Sequence, residues 1–285
     1  MKRTIFISLM IFISFLFLLI GRPQPLLAKE IYKVAFLPEY LPIEMWQRFN
    51  PLMTYLGDTL GVRFELIIPR NFEHHIELVK KGGVDFFYQN PYVFLEVWET
   101  SSPLTLTEKG KKWGIEFRGV IITRKASGIN KIEDLKGKKV SIVSLHSAGG
   151  FIAQKVLLRG RLDVYADLSI VEAKGNKQEN VIFDVILKRA DAGFVAEEVL
   201  GRIESKGLLS PGEVQEIKVI AYTDYIPNWV FSANKELPAE VKKMVQEALL
   251  NIPLGHPVLK AAKIRRFAPI PANYLEEYRA KIQGR

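Results

Sequence analysis

Apolar residues along the chain follow two patterns, one with a period of two and one with a period of about 3.6. Apolar and polar positions alternate over residues 31–37 and again over 63–69, which predicts two strands. Between them, apolar residues three or four apart predict a helix with one buried face: Trp46, Phe49, Met53, Leu56 and Leu60. Strands that alternate with helices of this length indicate parallel βαβ units.

Pro51 lies inside this predicted helix, and two interpretations are open. Either the helix kinks at Pro51, or Asn50 caps a second helix that has Pro51 at its first position. In both cases Gly61 marks the end of the helical region.

The same order of elements occurs twice along the chain. The first occurrence ends in a predicted helix at 72–81 and a strand that begins at Val84-Asp85. The second ends in a predicted helix at 179–188 and a strand that begins at Ala190-Asp191. This repeat predicts two similar α/β lobes. The remaining predicted strands cover residues 117–123, 140–143, 168–172 and 219–233, and further helices cover 238–250 and 274–282.

Residues 144–150 form a predicted turn between a strand and a helix. Ser147 is a candidate N-cap, and Gly149 and Gly150 allow a ligand to approach the backbone closely. Free backbone N–H groups at such a helix start attract anions. His146 lies in the same turn, so its ring is a candidate ligand contact. The turn therefore predicts an anion site.

The amino-terminal residues predict export. Lys2 and Arg3 precede an apolar run at 5–20, and Pro23 and Pro25 precede Ala28, as in a signal peptide removed after residue 28. An uncleaved anchor helix is the alternative, because the apolar run is only slightly shorter than a membrane span.

Charge and cysteine content limit the possible partners. The chain carries a formal charge of +9 and has no cysteine, so its stability comes from a packed core rather than from disulfides. The basic residues are dispersed, and we expect no nucleic-acid binding. Apart from the amino terminus, no apolar run is long enough to span a membrane.

The residues needed for catalysis are scarce. We expect His74 and His75 to lie on the surface without a shared metal, and His256 to have no special role. The pair Glu197 and Glu198 is expected on a solvated helix face. No nucleophile elbow, dinucleotide fingerprint or metal-ligand spacing occurs. We therefore predict a binding protein with no catalytic residues, no metal and no cofactor.

Aromatic residues mark the expected cleft. Several lie at or near the ends of predicted strands, where ligands bind in α/β folds, and we expect two or three of them to line the cleft: Tyr40, Phe72, Tyr88, Tyr92, Phe117, Tyr222, Tyr225 and Trp229.

Taken together, several short motifs resemble the phosphate, phosphite and phosphonate-binding proteins of bacterial ABC importers. These motifs are Asn50-Pro-Leu-x-x-Tyr-Leu-x-x-x-Leu-Gly61, Gly83-Val-Asp85, residues 117–129, Asp134-Leu-Lys-Gly-Lys-Lys-Val140, Ser147-Ala-Gly-Gly-Phe151 and Ala190-Asp191. The resemblance implies a type II periplasmic binding fold of class α/β, in which each of two lobes is a mostly parallel sheet flanked by helices, with two crossing strands. On this basis, lobe 1 comprises residues 29–117 and 232–285, and lobe 2 comprises 118–231.

The resemblance also implies where the ligand binds. The family's Ser-Thr-Ser-Gly turn corresponds to Ser147, Ala148, Gly149 and Gly150, and two family tyrosines correspond to Phe72 and Phe117. A pocket histidine of the family aligns with Gln178, with Lys177 or Asn180 as alternatives. The predicted ligand-binding residues are Tyr40, Phe72, Tyr88, Asn90, Phe117, Arg118, His146, Ser147, Ala148, Gly149, Gly150 and Gln178.

We therefore expect an exported, monomeric solute-binding protein that carries a small ligand, an oxyanion of phosphate or phosphonate type, to an ABC permease in the membrane. The alternative is a sensory module of the same fold that reports to a membrane-bound signalling kinase. An enzyme built on this fold is the third reading, and the scarcity of catalytic residues disfavours it.

Overall fold

The computed structural model describes residues 29–111 and 114–284, whose strands form two sheets. The predicted signal peptide lies outside the described residues. The strands are β1 (Ile31–Phe36), β2 (Arg63–Ile67), β3 (Phe86–Gln89), β4 (Ser101–Glu108), β5 (Glu116–Arg124), β6 (Lys139–Ile142), β7 (Ser169–Glu172), β8 (Ala192–Ala196), β9 (Ile217–Pro227), β10 (Val230–Asn234) and β11 (Arg266–Ala268).

Both sheets are mixed. The first has the order β11-β4-β10-β3-β1-β2, and the second has the order β7-β6-β8-β5-β9. Parallel pairing joins β1 to β2 and β3, and joins β6 to β7 and β8. All other pairs are antiparallel. Among the described strands, β1, β2, β3 and β4 of the first sheet run in one direction, and so do β6, β7, β8 and β9 of the second. The predicted α/β class with mostly parallel sheets is therefore confirmed, and β10 and β5 run in the opposite direction next to β3 and β8.

The repeat seen in the sequence has a structural counterpart. Asp85 Oδ2 accepts a hydrogen bond from Lys33 N at 2.9 Å, and Asp191 Oδ2 accepts one from Lys139 N at 2.9 Å. In each sheet, the aspartate before one parallel strand thus binds the start of the neighbouring strand. The two aspartates fix the same register in both halves.

Helices cover the faces of both sheets. They are α1 (Pro42–Leu60), α2 (Phe72–Lys80), α3 (Pro91–Glu96), α4 (Ala153–Leu158), α5 (Gln178–Ile186), α6 (Glu198–Ser205), α7 (Pro211–Glu216), α8 (Ala239–Leu250), α9 (Pro257–Ala262) and α10 (Tyr274–Gln283). Pro51 lies inside α1 without ending it, so Asn50 does not cap a second helix. Leu52, Met53 and Leu56 are buried on one face of α1, and this packing keeps the helix continuous despite the missing N–H of Pro51. None of the described helices is long and apolar enough to cross a membrane.

The predicted strand at 219–233 is in fact two strands in different sheets. β9 pairs with β5 in the second sheet, and β10 pairs with β3 and β4 in the first. The chain passes between the sheets at Asn228, whose N donates to the Ile115 carbonyl at 2.7 Å. Alternation along a strand indicates which side chains are buried but not which sheet buries them, so the sequence pattern did not reveal this break.

The last helix, α10, contacts elements next to both sheets. Leu275 packs with Phe94 and Val230 of the first sheet's core. Tyr278 is buried in a core cluster on the second sheet. Arg159, at the end of α4, donates to the carbonyls of Lys281 and Ile282 at 3.3 and 2.9 Å. Helix α10 therefore links the two halves.

His75 lies in the interior of the first sheet's half. It is fully buried on α2, and its Nε2 forms a hydrogen bond with Gln89 Oε1 at 2.8 Å. The expectation that His75 is a surface residue is therefore wrong, whereas its neighbour His74 is half-buried. Burial lowers the pKa of His75 from 6.5 to about 4, so the ring is neutral near pH 7.

We predict that His75 makes the protein less stable in mild acid. The unfolded chain binds a proton at His75 near pH 6.5 and the folded chain only near pH 4, so the free energy of unfolding falls as the pH drops through this window. The contribution is roughly 3 kcal/mol. Urea unfolding of His75→Gln from pH 7 to 4 should show a shallower fall than the unsubstituted protein.

His74→Gln is the matched control, because it removes the adjacent histidine from the half-buried position beside it. It should keep most of the slope of the unsubstituted protein, because the burial of His75, which is the largest cause of its pKa shift, is unchanged. Equal slopes for His75→Gln and the unsubstituted protein would contradict the assignment.

Candidate functional site

The turn between β6 and α4 is held by the side chain of Ser147. Its Oγ accepts a hydrogen bond from Gly150 N at 3.1 Å, and its carbonyl accepts one from Ile152 N at 2.9 Å. Residues Ala148–Ile152 form a π-helical turn that continues into α4 and is wider than an α-helical turn. The predicted N-cap at Ser147 is confirmed. The amides of Ala148 and Gly149 take no part in these bonds.

A small pocket lies at this turn, between the two sheets. Its polar and apolar walls come mainly from residues that follow β1, β3, β6 and β8, which is where parallel strands end and ligands bind in α/β folds. Its volume is about 20 Å³, enough for one water molecule. A larger ligand enters only if the walls move apart.

The structure brings seven of the predicted site residues to this pocket: Phe72, Asn90, Phe117, Ser147, Ala148, Gly149 and Gln178. Gly149 is needed at its position, because a Cβ there would lie 2.5 Å from Cε2 of Phe117 and 3.3 Å from Cβ of Ala196. The rings of Phe72 and Phe117 are 4% and 7% exposed, so both contribute apolar wall rather than open surface.

Two polar side chains of the pocket are already engaged in local structure. Asn90 Oδ1 caps α3 by accepting from Tyr92 N and Val93 N, each at 3.0 Å, and Nδ2 donates to the His146 carbonyl at 3.2 Å. Gln178 Oε1 accepts from Ala196 N at 3.0 Å. Asn90 therefore positions the anion turn against α3, and Gln178 joins α5 to the end of β8.

Two carboxylates in the pocket wall were not predicted as site residues. Glu39 follows β1 and Glu198 begins α6, and both line the pocket. Lys109 lies between them, with Nζ 3.2 Å from Glu198 and 3.7 Å from Glu39. The expectation of a solvated face for Glu198 is therefore wrong. Their position in the sequence could have indicated a site, because each of the two residues follows the end of a parallel strand, where ligands bind in α/β folds.

The charges of this group stabilise one another. Burial opposes ionisation of Lys109, but Glu198 and Glu39 hold its pKa above the ordinary value. Burial likewise opposes ionisation of Glu39, but Lys109 and Arg202 hold the pKa of this carboxyl below its ordinary value. Lys109 and Glu39 are therefore charged near pH 7, and an ion cluster lies beside the pocket.

The other five predicted residues do not line the pocket. Arg118 forms two hydrogen bonds with Glu197, at 2.7 and 3.2 Å, and its guanidinium lies 4.2 Å from the Tyr222 ring centre. Gly150 packs against Val143. Tyr40 and Tyr88 line a neighbouring cavity of about 170 Å³ that shares Glu39 and Glu198 with the pocket.

His146, the fifth of these residues, bridges the two sheets beside the pocket. Its Nδ1 lies 2.7 Å from Glu96 Oε2, and its Nε2 lies 3.7 Å from Glu73 Oε1. Both carboxylates belong to helices of the first sheet's half, whereas His146 follows β6 of the second. The hydrogen bond to Glu96 raises the pKa of His146, although partial burial opposes this. The ring therefore contacts neighbouring side chains rather than the pocket.

The described pocket contains groups that can bind a polar ligand. Within residues 29–111 and 114–284, no group of three or more metal-ligating side chains is placed to hold a metal ion. The pocket is lined by the Ser147 hydroxyl, by three carboxamides (Asn90, Asn176 and Gln178), by the carboxylates of Glu39 and Glu198, and by the rings of Phe72, Phe117 and Trp229.

Comparison with known proteins identifies relatives of this arrangement. Residues 34–274 match the family described as "ABC transporter, phosphonate, periplasmic substrate-binding protein". The phosphate-import protein PhnD of Mycolicibacterium smegmatis is 24% identical over 237 residues, which cover 77% of this chain and 72% of that protein.

The tetrathionate sensor histidine kinase TtrS of Salmonella typhimurium is 26% identical over 223 residues, covering 73% of this chain but only 37% of the kinase. Among solved structures, PhnD1 of Prochlorococcus marinus in complex with methylphosphonate has a TM-score of 0.75 and 15% identity, covering 90% of this chain and 98% of that one. This structural likeness shows that the folds are the same.

We predict that the contact between His146 and Glu96 stabilises the protein more at low pH than at high pH. Because the folded pKa of His146 is raised above 6.5, this stabilisation is complete below pH 6.5 and is lost as the pH rises through the folded pKa. The difference in unfolding free energy between the unsubstituted protein and His146→Gln should be about 0.5–1 kcal/mol larger at pH 6 than at pH 9.

The double variant His146→Gln, Glu96→Gln serves as the control. Glu96→Gln alone should remove most of the same pH-dependent difference in unfolding free energy. The effects of the two single substitutions on this difference should therefore not be additive in the double variant. A difference that is the same at pH 6 and pH 9 counts against the bridge.

Proposed function

The chain belongs to the family of periplasmic substrate-binding proteins of phosphonate ABC transporters, and from this premise we propose that its pocket at residues 147–149 binds a small oxyanion with an organic group. The protein would then present this ligand to an ABC permease. Members of this family bind substrates for transport and are not enzymes. The observation that carries the proposal is the turn capped by Ser147, whose next two residues, Ala148 and Gly149, line the pocket.

The ligand class follows from the chemistry of the pocket wall. Phe72, Phe117 and Ala148 present apolar surface at positions where the family resemblance implies hydroxyl groups. Each hydrogen bond to an anion that is not formed removes about 1.5–3 kcal/mol. Inorganic phosphate presents oxygen in every direction and would therefore lose the most binding free energy in this pocket. A phosphonate can direct its alkyl group at the rings, which favours it over phosphate.

The mechanism we propose is closure of two lobes around the ligand. Lobe 1 would comprise residues 29–117 and 232–285, and lobe 2 residues 118–231. In support, nearly all strands of the first sheet fall in the former ranges, and those of the second fall almost entirely in the latter. A ligand that contacts both lobes favours the closed arrangement by its differential binding energy.

We propose further that a signal peptide, residues 1–28, is removed during export and that the mature chain acts as a monomer without nucleic acid. The family is periplasmic, which supports export. Mass spectrometry of the protein purified from the periplasm, together with light scattering, tests both points.

A sensory role is the second candidate, because one relative of this chain is a histidine kinase. A gene for a permease and an ATPase beside the gene for this chain would favour transport, whereas a kinase gene there would favour sensing. Tetrathionate and methylphosphonate can be compared as probes in the same binding assay.

We predict that methylphosphonate raises the melting temperature of the mature protein and binds at least about 10-fold more tightly than inorganic phosphate, a difference set by one unpaired hydrogen bond. Thermal shift and isothermal titration measure this. Tighter binding of inorganic phosphate would contradict the proposed ligand class, and no binding of either would contradict an oxyanion site.

We predict that Gly149→Ala abolishes this binding. The added methyl group would meet the Phe117 ring at 2.5 Å and fill the pocket beside the turn. Gly201→Ala is the matched control, because a Cβ at Gly201 meets no atom within 4 Å and should leave affinity unchanged. The melting temperatures without ligand check that both variants fold. If Gly149→Ala is folded and binds methylphosphonate normally, the ligand binds elsewhere.

A further inference from the structure

The cavity next to the pocket has an unusual concentration of cationic side chains. It has a volume of about 170 Å³ and is lined by Arg48, Lys109, Arg202 and Lys263. Glu39 and Glu198 also line it, and Lys109 is paired with both. The cavity therefore has more positive than negative groups in its wall.

Two guanidinium groups of this wall have hydrogen-bonding capacity that the described residues do not use. Arg48 is 5% exposed, and one of its nitrogens, Nη2, bonds Glu44 at 2.6 Å, but its buried Nε has no partner there. Arg202 donates from Nε to Glu179 and from Nη1 to the Tyr40 hydroxyl, each at 3.1 Å, but its buried Nη2 has none. Buried donors of this kind are rarely left without an acceptor.

The rest of the wall brings these donors together. The Tyr40 ring lies under Arg48, with 3.6 Å between the guanidinium carbon and the ring centre, and 5.4 Å from that of Arg202. Burial raises the pKa of the Tyr40 hydroxyl well above its ordinary value, so it stays neutral and competes with no anion. Burial, Arg48 and Lys206 lower the pKa of Lys263, which is the effect expected of a cation among other cations.

We propose that this cavity is a second anion-binding site, for a small tetrahedral oxyanion such as sulfate or phosphate. The guanidinium groups of Arg48 and Arg202 line the cavity and would supply the positive charge that holds the anion, and Lys263 would contribute its charge from the solvent side. A cavity of about 170 Å³ accommodates such an ion with a few water molecules. Guanidinium groups suit this chemistry because their planar donors match oxyanion geometry.

The site joins the two halves of the protein. Arg48 lies on α1 and Lys263 follows α9, both beside the first sheet, whereas Arg202 lies on α6 beside the second. An anion held by both groups of residues binds best when the halves are close together. It therefore stabilises the same arrangement that the first pocket requires.

Sulfate-dependent thermal stabilisation of the mature protein, at constant ionic strength, tests the proposal. Lys263→Gln should raise the half-saturating sulfate concentration about 5- to 10-fold, as expected for one lost charge near the anion. Lys260→Gln is the matched control, because it removes the same charge from α9 at an exposed residue that does not line the cavity. Lys263 is exposed, so its substitution should not prevent folding.

Gly149→Ala, which fills the first pocket, separates the two sites. It should leave the sulfate response within about twofold while it abolishes methylphosphonate binding. Equal responses in Lys263→Gln and Lys260→Gln overturn the second site, and so does a sulfate response lost in Gly149→Ala. If the protein binds no methylphosphonate but its sulfate response still depends on Lys263, the second site is supported and only the proposed function is contradicted.

Discussion

The ion pairs of Lys109 hold the structure around the pocket together. This side chain extends from beyond the end of β4 and reaches Glu198 on α6 of the other half, at 3.2 Å, while it also approaches Glu39. Arg202 makes a second contact between the halves, because it extends from α6 toward Glu39 and the hydroxyl of Tyr40. Partial burial strengthens these attractions, and breaking one pair would leave a charge without compensation. The distance between the two halves is therefore coupled to the charges of the pocket wall.

The pocket beside this ion cluster combines backbone donors with aromatic walls. The turn capped by Ser147 lines one side of it, and Phe117 packs against Gly149 so closely that no larger residue fits there. Family members that use hydroxyl groups at these positions can surround an oxyanion with donors. This chain has carbon at several positions where the resemblance implies such donors, and under the proposed function its specificity depends more on shape and on the organic part of the ligand.

Much of the fold could be predicted because it depends on local patterns. The period-two and period-3.6 patterns located β1, β2, α1 and α5 within a few residues, and Val84-Asp85 and Ala190-Asp191 indicated the repeat. Short elements such as β11 and α9 were not predicted, since a segment of three to six residues carries too little pattern. Likewise, His75 follows Phe72 and precedes Ile76 and Val79 on one helix face, a spacing that predicts burial and that its polarity obscured.

The sequence by itself determined the class of fold, the family and the capped turn at Ser147, because each depends on residues close together in the chain. Only the tertiary structure decided which side chains meet at the pocket. Glu39, Lys109 and Glu198 are far apart in sequence, and they became one cluster only when the ends of strands from two sheets were brought together. Arg118 and His146 do not line the pocket, because they pair with Glu197 and Glu96 instead. Packing determines which opposite charge lies nearest to a side chain, and no local sequence pattern encodes it.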